Sequence, residues 1–129
     1  MQDKITDFRQ LTVWQKAHQL VLKIYQITRQ FPSEEKYGLV SQMRRGAVSV
    51  PANIAEGFQK KGVKDKLNFY NIAQASLEEL KYYMILSQDL GYIKDIQSLW
   101  ESAQEIARML SGLIASIDAR KKESENKGK

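Results

Sequence analysis

Cysteine is absent from this chain of 129 residues, histidine occurs once, and proline occurs twice. Without cysteine there can be no disulfide framework, no thiolate metal site and no cysteine nucleophile. With His18 as the lone histidine, neither a two-histidine metal site nor a pair of Glu-x-x-His motifs can form. Two prolines and seven glycines are too few punctuators for an all-β chain. No apolar run is long enough to span a bilayer, and the first residues carry no secretory pattern. Gly-rich phosphate loops, zinc spacings and nucleophile elbows are missing as well. Together these absences point to a soluble, cytoplasmic, non-catalytic chain with no cofactor and no metal.

What is present is helical periodicity over nearly the whole length. A first helix is expected from about Leu11 to Phe31, with Trp14, Ala17, Val21 and Ile24 in one row and Leu20, Ile27, Val13 and Leu22 widening the band. That band is broader than one face of a bundle needs. Phe31-Pro32-Ser33 stops this helix, and Ser33 is placed to cap a second helix reaching Gln59. Gly62 separates the second helix from a third, spanning about Asp65 to Leu90, after which Gly91 suits a left-handed cap. The fourth is expected from Lys94 or Asp95 to about Lys122, on a heptad seam of Ile96, Trp100, Ala103, Ala107, Leu110, Ile114 and Ile117. Four long helices with short loops make an all-α, up-down-up-down four-helix bundle over residues 10–122. Residues 1–9 read as a polar, loosely docked segment and 123–129 as a disordered charged tail.

The centre of the chain, Gln42 to Gly57, contains a proline at position 51. An apolar row of Met43, Ala47, Val50 and Ile54 runs through it beside a polar row of Arg45, Ser49, Asn53 and Glu56. On the third helix, Ser76 and Glu79 sit in a row with Ile72, Tyr83, Leu86 and Leu90, which reads as inward-facing. A buried arginine needs a carboxylate, so Arg45 and Glu79 are expected to pair. The six residues Arg45, Ser49, Asn53, Glu56, Ser76 and Glu79 then form a buried structural network, with the Asn53 amide meeting backbone groups freed by Pro51.

The net charge is +5, all of it in residues 1–63, while residues 64–129 are neutral. Arg44, Lys60, Lys61, Lys64 and Lys66 lie on or after the second helix, and Arg120, Lys121 and Lys122 end the fourth. In an up-down bundle those two ends share a pole, so these eight residues are the candidate nucleic-acid contacts.

Five stretches resemble one family: Phe8-Arg9-x-Leu11-x-Val13-Trp14-x-Lys16-Ala17; Phe31-Pro32-x-x-Glu35-x-Tyr37-Gly38-Leu39; Arg44-Arg45-x-Ala47 through Gly57; Ala73-x-x-Ser76-Leu77-x-Glu79-Leu80; and Leu90-Gly91-Tyr92-Ile93. They resemble the bacterial proteins encoded in intervening sequences of 23S ribosomal RNA genes, also called the S23 ribosomal protein family. The resemblance covers residues 8 to about 117. It implies a four-helix bundle that assembles into a ring-shaped homopentamer. It also implies kinship with the accessory variability proteins of diversity-generating retroelements, basic pentamers that bind a reverse transcriptase and nucleic acid. Two functions follow as expectations: a homo-oligomer that binds RNA or DNA through a basic surface, or a scaffold that presents repeated surfaces to a protein partner.

Overall fold

A computed structural model describes residues 4–127, the side chain of 127 excepted. The described residues contain four helices and no strand: α1 (Thr12–Thr28), α2 (Leu39–Gln59), α3 (Val63–Asp89) and α4 (Gln97–Lys127). No helix among them is long and apolar enough to cross a membrane. Each helix packs on two others, in the cycle α1–α2–α3–α4–α1, and the α2–α3 pair is the most extensive. Met43 meets Ser87, Ser49 meets Ser76, and Gly57 meets the ring of Tyr70 across that pair. Gln74 reaches Ser111 between α3 and α4, and Lys16 pairs with Glu105 between α1 and α4.

One core fills the space between the helices. Met43, Ala47, Val50 and Ile54 are all buried, as their spacing predicts. On α3 the buried line is Tyr70, Ala73, Leu77, Leu80, Met84 and Ser87. A single stripe suffices there, so the neighbouring row of Ile72, Ser76, Glu79 and Leu90 is left at or near the surface. The deepest residues of α4 are Leu99, Ala103, Ile106, Leu110 and Ile117. The expected seam members Ile96, Trp100, Ala107 and Ile114 are half-buried, so the inward face is turned toward the Leu99–Ile106 side.

Several boundaries differ from expectation, each for a local reason. Phe8–Gln10 forms a 3-10 turn closed by a capping box between Asp7 and Gln10, and the Phe8 ring tilts onto Trp14 at 5.1 Å. The Arg9 side chain and backbone N–H bond Asp7 and hold its carboxyl down at about 2. This segment is therefore ordered from Asp7 on by its own hydrogen bonds. Ser33 does not cap α2: Ser33–Glu35 is another 3-10 turn, and α2 begins only after Gly38. Glu35 serves instead, its Oε1 accepting from the backbone N–H of Leu39 at 3.3 Å. Gly91 has φ 81°, and the Tyr92 N–H bonds back to the Ser87 carbonyl, the left-handed closure expected there. Beyond Ile117 the chain stays helical through Lys127, past the expected end at Lys122. Ala, Arg, Lys and Glu are strong helix formers, and Asp118 pairs with Lys122 one turn on at 3.6 Å. Of the expected disordered tail, residues 123–127 are thus helix, while 128–129 lie outside the described residues, as do 1–3 at the other end.

Candidate nucleic-acid interface

The loop between α2 and α3 carries its lysines to one end of the molecule, and the last turns of α4 arrive beside it. Lys66, on the first turns of α3, reaches back across the break. Its Nζ donates to the carbonyls of Gly57 at 3.1 Å and Phe58 at 2.8 Å, closing the end of α2. Those carbonyls are the negative end of the α2 dipole, so an ammonium is favoured there. Burial, with the nearby Arg120 guanidinium, nevertheless holds the Lys66 ammonium below the usual lysine value. Arg120 of α4 and Lys66 of α3 line the same recess.

Between them opens a cleft of about 340 Å³, lined by Lys61, Val63, Lys66, Ile117, Arg120, Lys121, Ser124 and Glu125. Four cations face one carboxylate across it. The two basic groups that are far apart in sequence therefore meet at one end. Lys64 is exposed beside the cleft without lining it. Lys60 lies over the Phe69 ring at 5.3 Å and Lys66 over Phe58 at 5.6 Å, so the two phenylalanines flanking the lysine loop already carry a cation. Lys122 points to Asp118. Val63, Ile117, Ser124 and Glu125 are not among the candidates that the sequence suggests; Val63 falls in the expected connection before the third helix, periodicity assigns Ile117 to the core seam, and the last two lie where a disordered tail is expected.

Arg44 does not join this end. It stands some 15 residues before the end of α2, roughly 22 Å along the axis at the helical rise per residue. Its Nε donates to Thr28 Oγ1 at 2.9 Å, and the guanidinium lies 4.6 Å over the Tyr25 ring. Arg44 thus ties the end of α1 to α2.

The central polar row also differs from expectation. Arg45, Glu56 and Glu79 are exposed, and no buried ion pair joins them. In water neither charge needs a partner, which removes the reason for Arg45 and Glu79 to meet. Glu79 accepts instead from Tyr83 Oη at 2.6 Å, one turn along its own helix. Only Ser49, Asn53 and Ser76 form a half-buried cluster. The two serine hydroxyls are 2.8 Å apart, and Asn53 Nδ2 donates to Ser49 Oγ at 2.9 Å and to the Ser49 carbonyl at 2.8 Å. The carbonyl that Pro51 deprives of its donor is that of Ala47, four residues back. Asn53 therefore braces the neighbouring turn, and α2 runs unbroken through the proline.

A second surface lies along α1 and α2. Phe8, Trp14, His18, Val21, Val48, Pro51, Ala52 and Ala55 line an apolar groove of about 390 Å³. His18 stacks on Trp14 there, ring centroids 5.1 Å apart. Leu22 is 56% exposed nearby, so the excess breadth of the α1 band does reach solvent.

Residues 9–112 match the family model of the 23S rRNA-intervening sequence protein. The chain belongs to that family. No curated protein matches it. Among solved structures, it is similar to a protein of unknown function from the S23 ribosomal protein family of Bacteroides thetaiotaomicron. The two are 24% identical with a TM-score of 0.74, over 80% of this chain and 98% of the other. At that identity the likeness is one of fold. The match to the intervening-sequence family ends at residue 112, and five of the eight residues lining the basic cleft lie after it.

Proposed function

We propose that this chain is a non-catalytic, homo-oligomeric, up-down-up-down bundle that binds RNA or another nucleic acid through its basic end. One observation carries the reading: Lys61, Lys66, Arg120 and Lys121, from segments more than 50 residues apart, converge on a single cleft. Assembly supports it in two ways. Exposed apolar side chains occur in two places, Leu22, Tyr25 and Val48 on α1 and α2, and Tyr82 and Ile85 on α3. Two unlike surfaces favour head-to-tail contact, which closes into a ring when the rotation allows. A pentameric ring of chains with charge +5 would gather about +25, a field that concentrates polyanions. The test is binding of RNA fragments at several salt concentrations, with solution mass measured by light scattering. Affinity that falls as salt rises, in a species heavier than one chain, is the expected result. A monomer with no binding at low salt overturns the reading.

The apolar groove on α1 and α2 favours a second reading, a scaffold that docks a protein partner without touching nucleic acid. Pull-down of a partner by a protein that ignores RNA at every salt concentration would select it.

A further inference from the structure

The lining of the basic cleft says more than its charge. A surface built only to meet phosphates needs cations on a flat or convex face. Here the cations Lys61, Arg120 and Lys121 surround an aliphatic floor made by Val63 and Ile117. The volume, about 340 Å³, is at the small end of ligand-sized cavities. A duplex presents its phosphates outward and keeps its bases stacked inside, so it cannot fill such a recess. A single strand can, because its sugars and bases are free to leave the stack.

Resting on the nucleic-acid reading above, we propose that this cleft seats one nucleotide of a single strand, its phosphate among Lys61, Arg120 and Lys121 and its sugar or base against Val63 and Ile117. Lys66 is a positioning residue: two carbonyls already engage its ammonium, and it supplies field from the floor. Among the described residues no aromatic ring lines the cleft and no amide side chain faces it. With the cations spent on phosphate, the contact left for the base is mainly the aliphatic one, which reads no donor or acceptor pattern, so binding discriminates little between bases. Glu125 on the rim offsets one of the four positive charges. Lys61, Val63 and Lys66 lie within the family match and the α4 wall of the cleft lies beyond it, so the match does not by itself carry the site.

Fluorescence anisotropy tests this with labelled oligo-uridine, oligo-adenosine and a duplex of equal length, on the full chain. Both single strands should bind alike and more tightly than the duplex. Val63→Glu places a carboxylate in the cleft at the first position of α3, where an acid favours the helix; Val63 also packs on the core, so circular dichroism first verifies the fold, and Val63→Gln serves as the uncharged control. Val63→Glu should weaken single-strand binding roughly tenfold, the effect of one like charge at contact distance. Lys61→Gln and Arg120→Gln should each reduce the slope of log affinity against log salt by about 0.7, while Lys94→Gln, in the connection between α3 and α4 at the other end of both helices, should leave it unchanged. RNA binding that prefers the duplex, that ignores Val63→Glu, or that poly-aspartate displaces as readily as a nucleic acid overturns the cleft but leaves the broader function standing. Absence of any nucleic-acid binding at low salt overturns both.

Discussion

Two glycines of α2 should respond to the same substitution with opposite signs. A Cβ built on Gly57 would stand 2.6 Å from Tyr70 Cε1 and 2.9 Å from Cδ1, inside any real carbon contact. The Tyr70 ring is fully buried, so it cannot swing out. Overpacking of this kind costs about 1–3 kcal/mol. Replacing glycine by alanine in a helix returns up to about 1 kcal/mol, less near the helix end, where Gly57 lies. Gly57→Ala should therefore destabilise by about 1–2 kcal/mol. Gly46 is also buried in α2, yet a Cβ added there would meet nothing within 4 Å. At that position only the propensity gain remains, and Gly46→Ala should stabilise by about 0.5–1 kcal/mol. Urea unfolding followed by circular dichroism measures both, at one protein concentration because assembly shifts apparent stability. Tyr70→Leu provides the control: with the ring gone, Gly57→Ala should lose most of its cost, a coupling of about 1 kcal/mol or more. Equal effects of the two glycine changes, or an undiminished Gly57→Ala cost beside Leu at position 70, would refute the close approach of α2 to the tyrosine.

Glu79→Ala should change stability by less than about 0.5 kcal/mol, because the carboxylate is exposed and serves only Tyr83; chemical denaturation checks this. Thr28→Val should cost about 1–2 kcal/mol in the same assay, since it strips Arg44 of its hydroxyl acceptor inside the α1–α2 junction. The hydroxyls of Tyr83 and Tyr92 donate to Glu79 and Glu35, and these hydrogen bonds raise both phenols above the usual tyrosine value of 10.0. A raised folded value means the contribution is whole below about pH 10 and lost as pH climbs through the higher folded value. Absorbance titration at alkaline pH should accordingly lose a late-titrating component in Tyr92→Phe, and an unchanged curve would contradict the Glu35 bond.

The helices were legible because their apolar spacing and their breakers agree. Pro32, Gly62 and Gly91 fall at three connections, and Met43 to Ile54 is buried as its period requires. The polar row was misplaced because a repeat of three and four fixes which residues share a face but not how wide the buried face is. Leu86, Tyr83 and Ile72 made the Glu79 row look internal, yet the α3 stripe through Tyr70 and Ser87 already fills the core. The seam of α4 turned for the same reason: Leu99, Ile106 and Leu113 offered a second apolar row, and packing chose between them. The basic end could be anticipated from charge and helix count alone, since both need only the ends of α2 and α4 to coincide. Its concave shape could not, because it depends on helix continuing through residues whose composition also suits a solvated tail.

That continuation has an energetic consequence at the cleft. Lys66 and Arg120 come to line one cleft once α4 extends past Ile117, and like charges sharing a cleft repel each other. The α2 carbonyls that bind Lys66 offset part of the repulsion, which is how the floor of the cleft can keep a cation. Arg120 and Lys121 have no such compensation from α2; they remain exposed and free to meet an anion. A bound phosphate would relieve the remaining repulsion, so ligand affinity and apparent stability are linked through the same charges. A structural role for Arg120 would couple them the other way: its neutralisation would weaken the fold. On the electrostatic argument its neutralisation removes a like charge from Lys66 and leaves the free protein no less stable, while the protein responds less to polyanions. Lys66, bonded to the α2 carbonyls, serves the fold, and the stability of Arg120→Gln distinguishes whether Arg120 does so too.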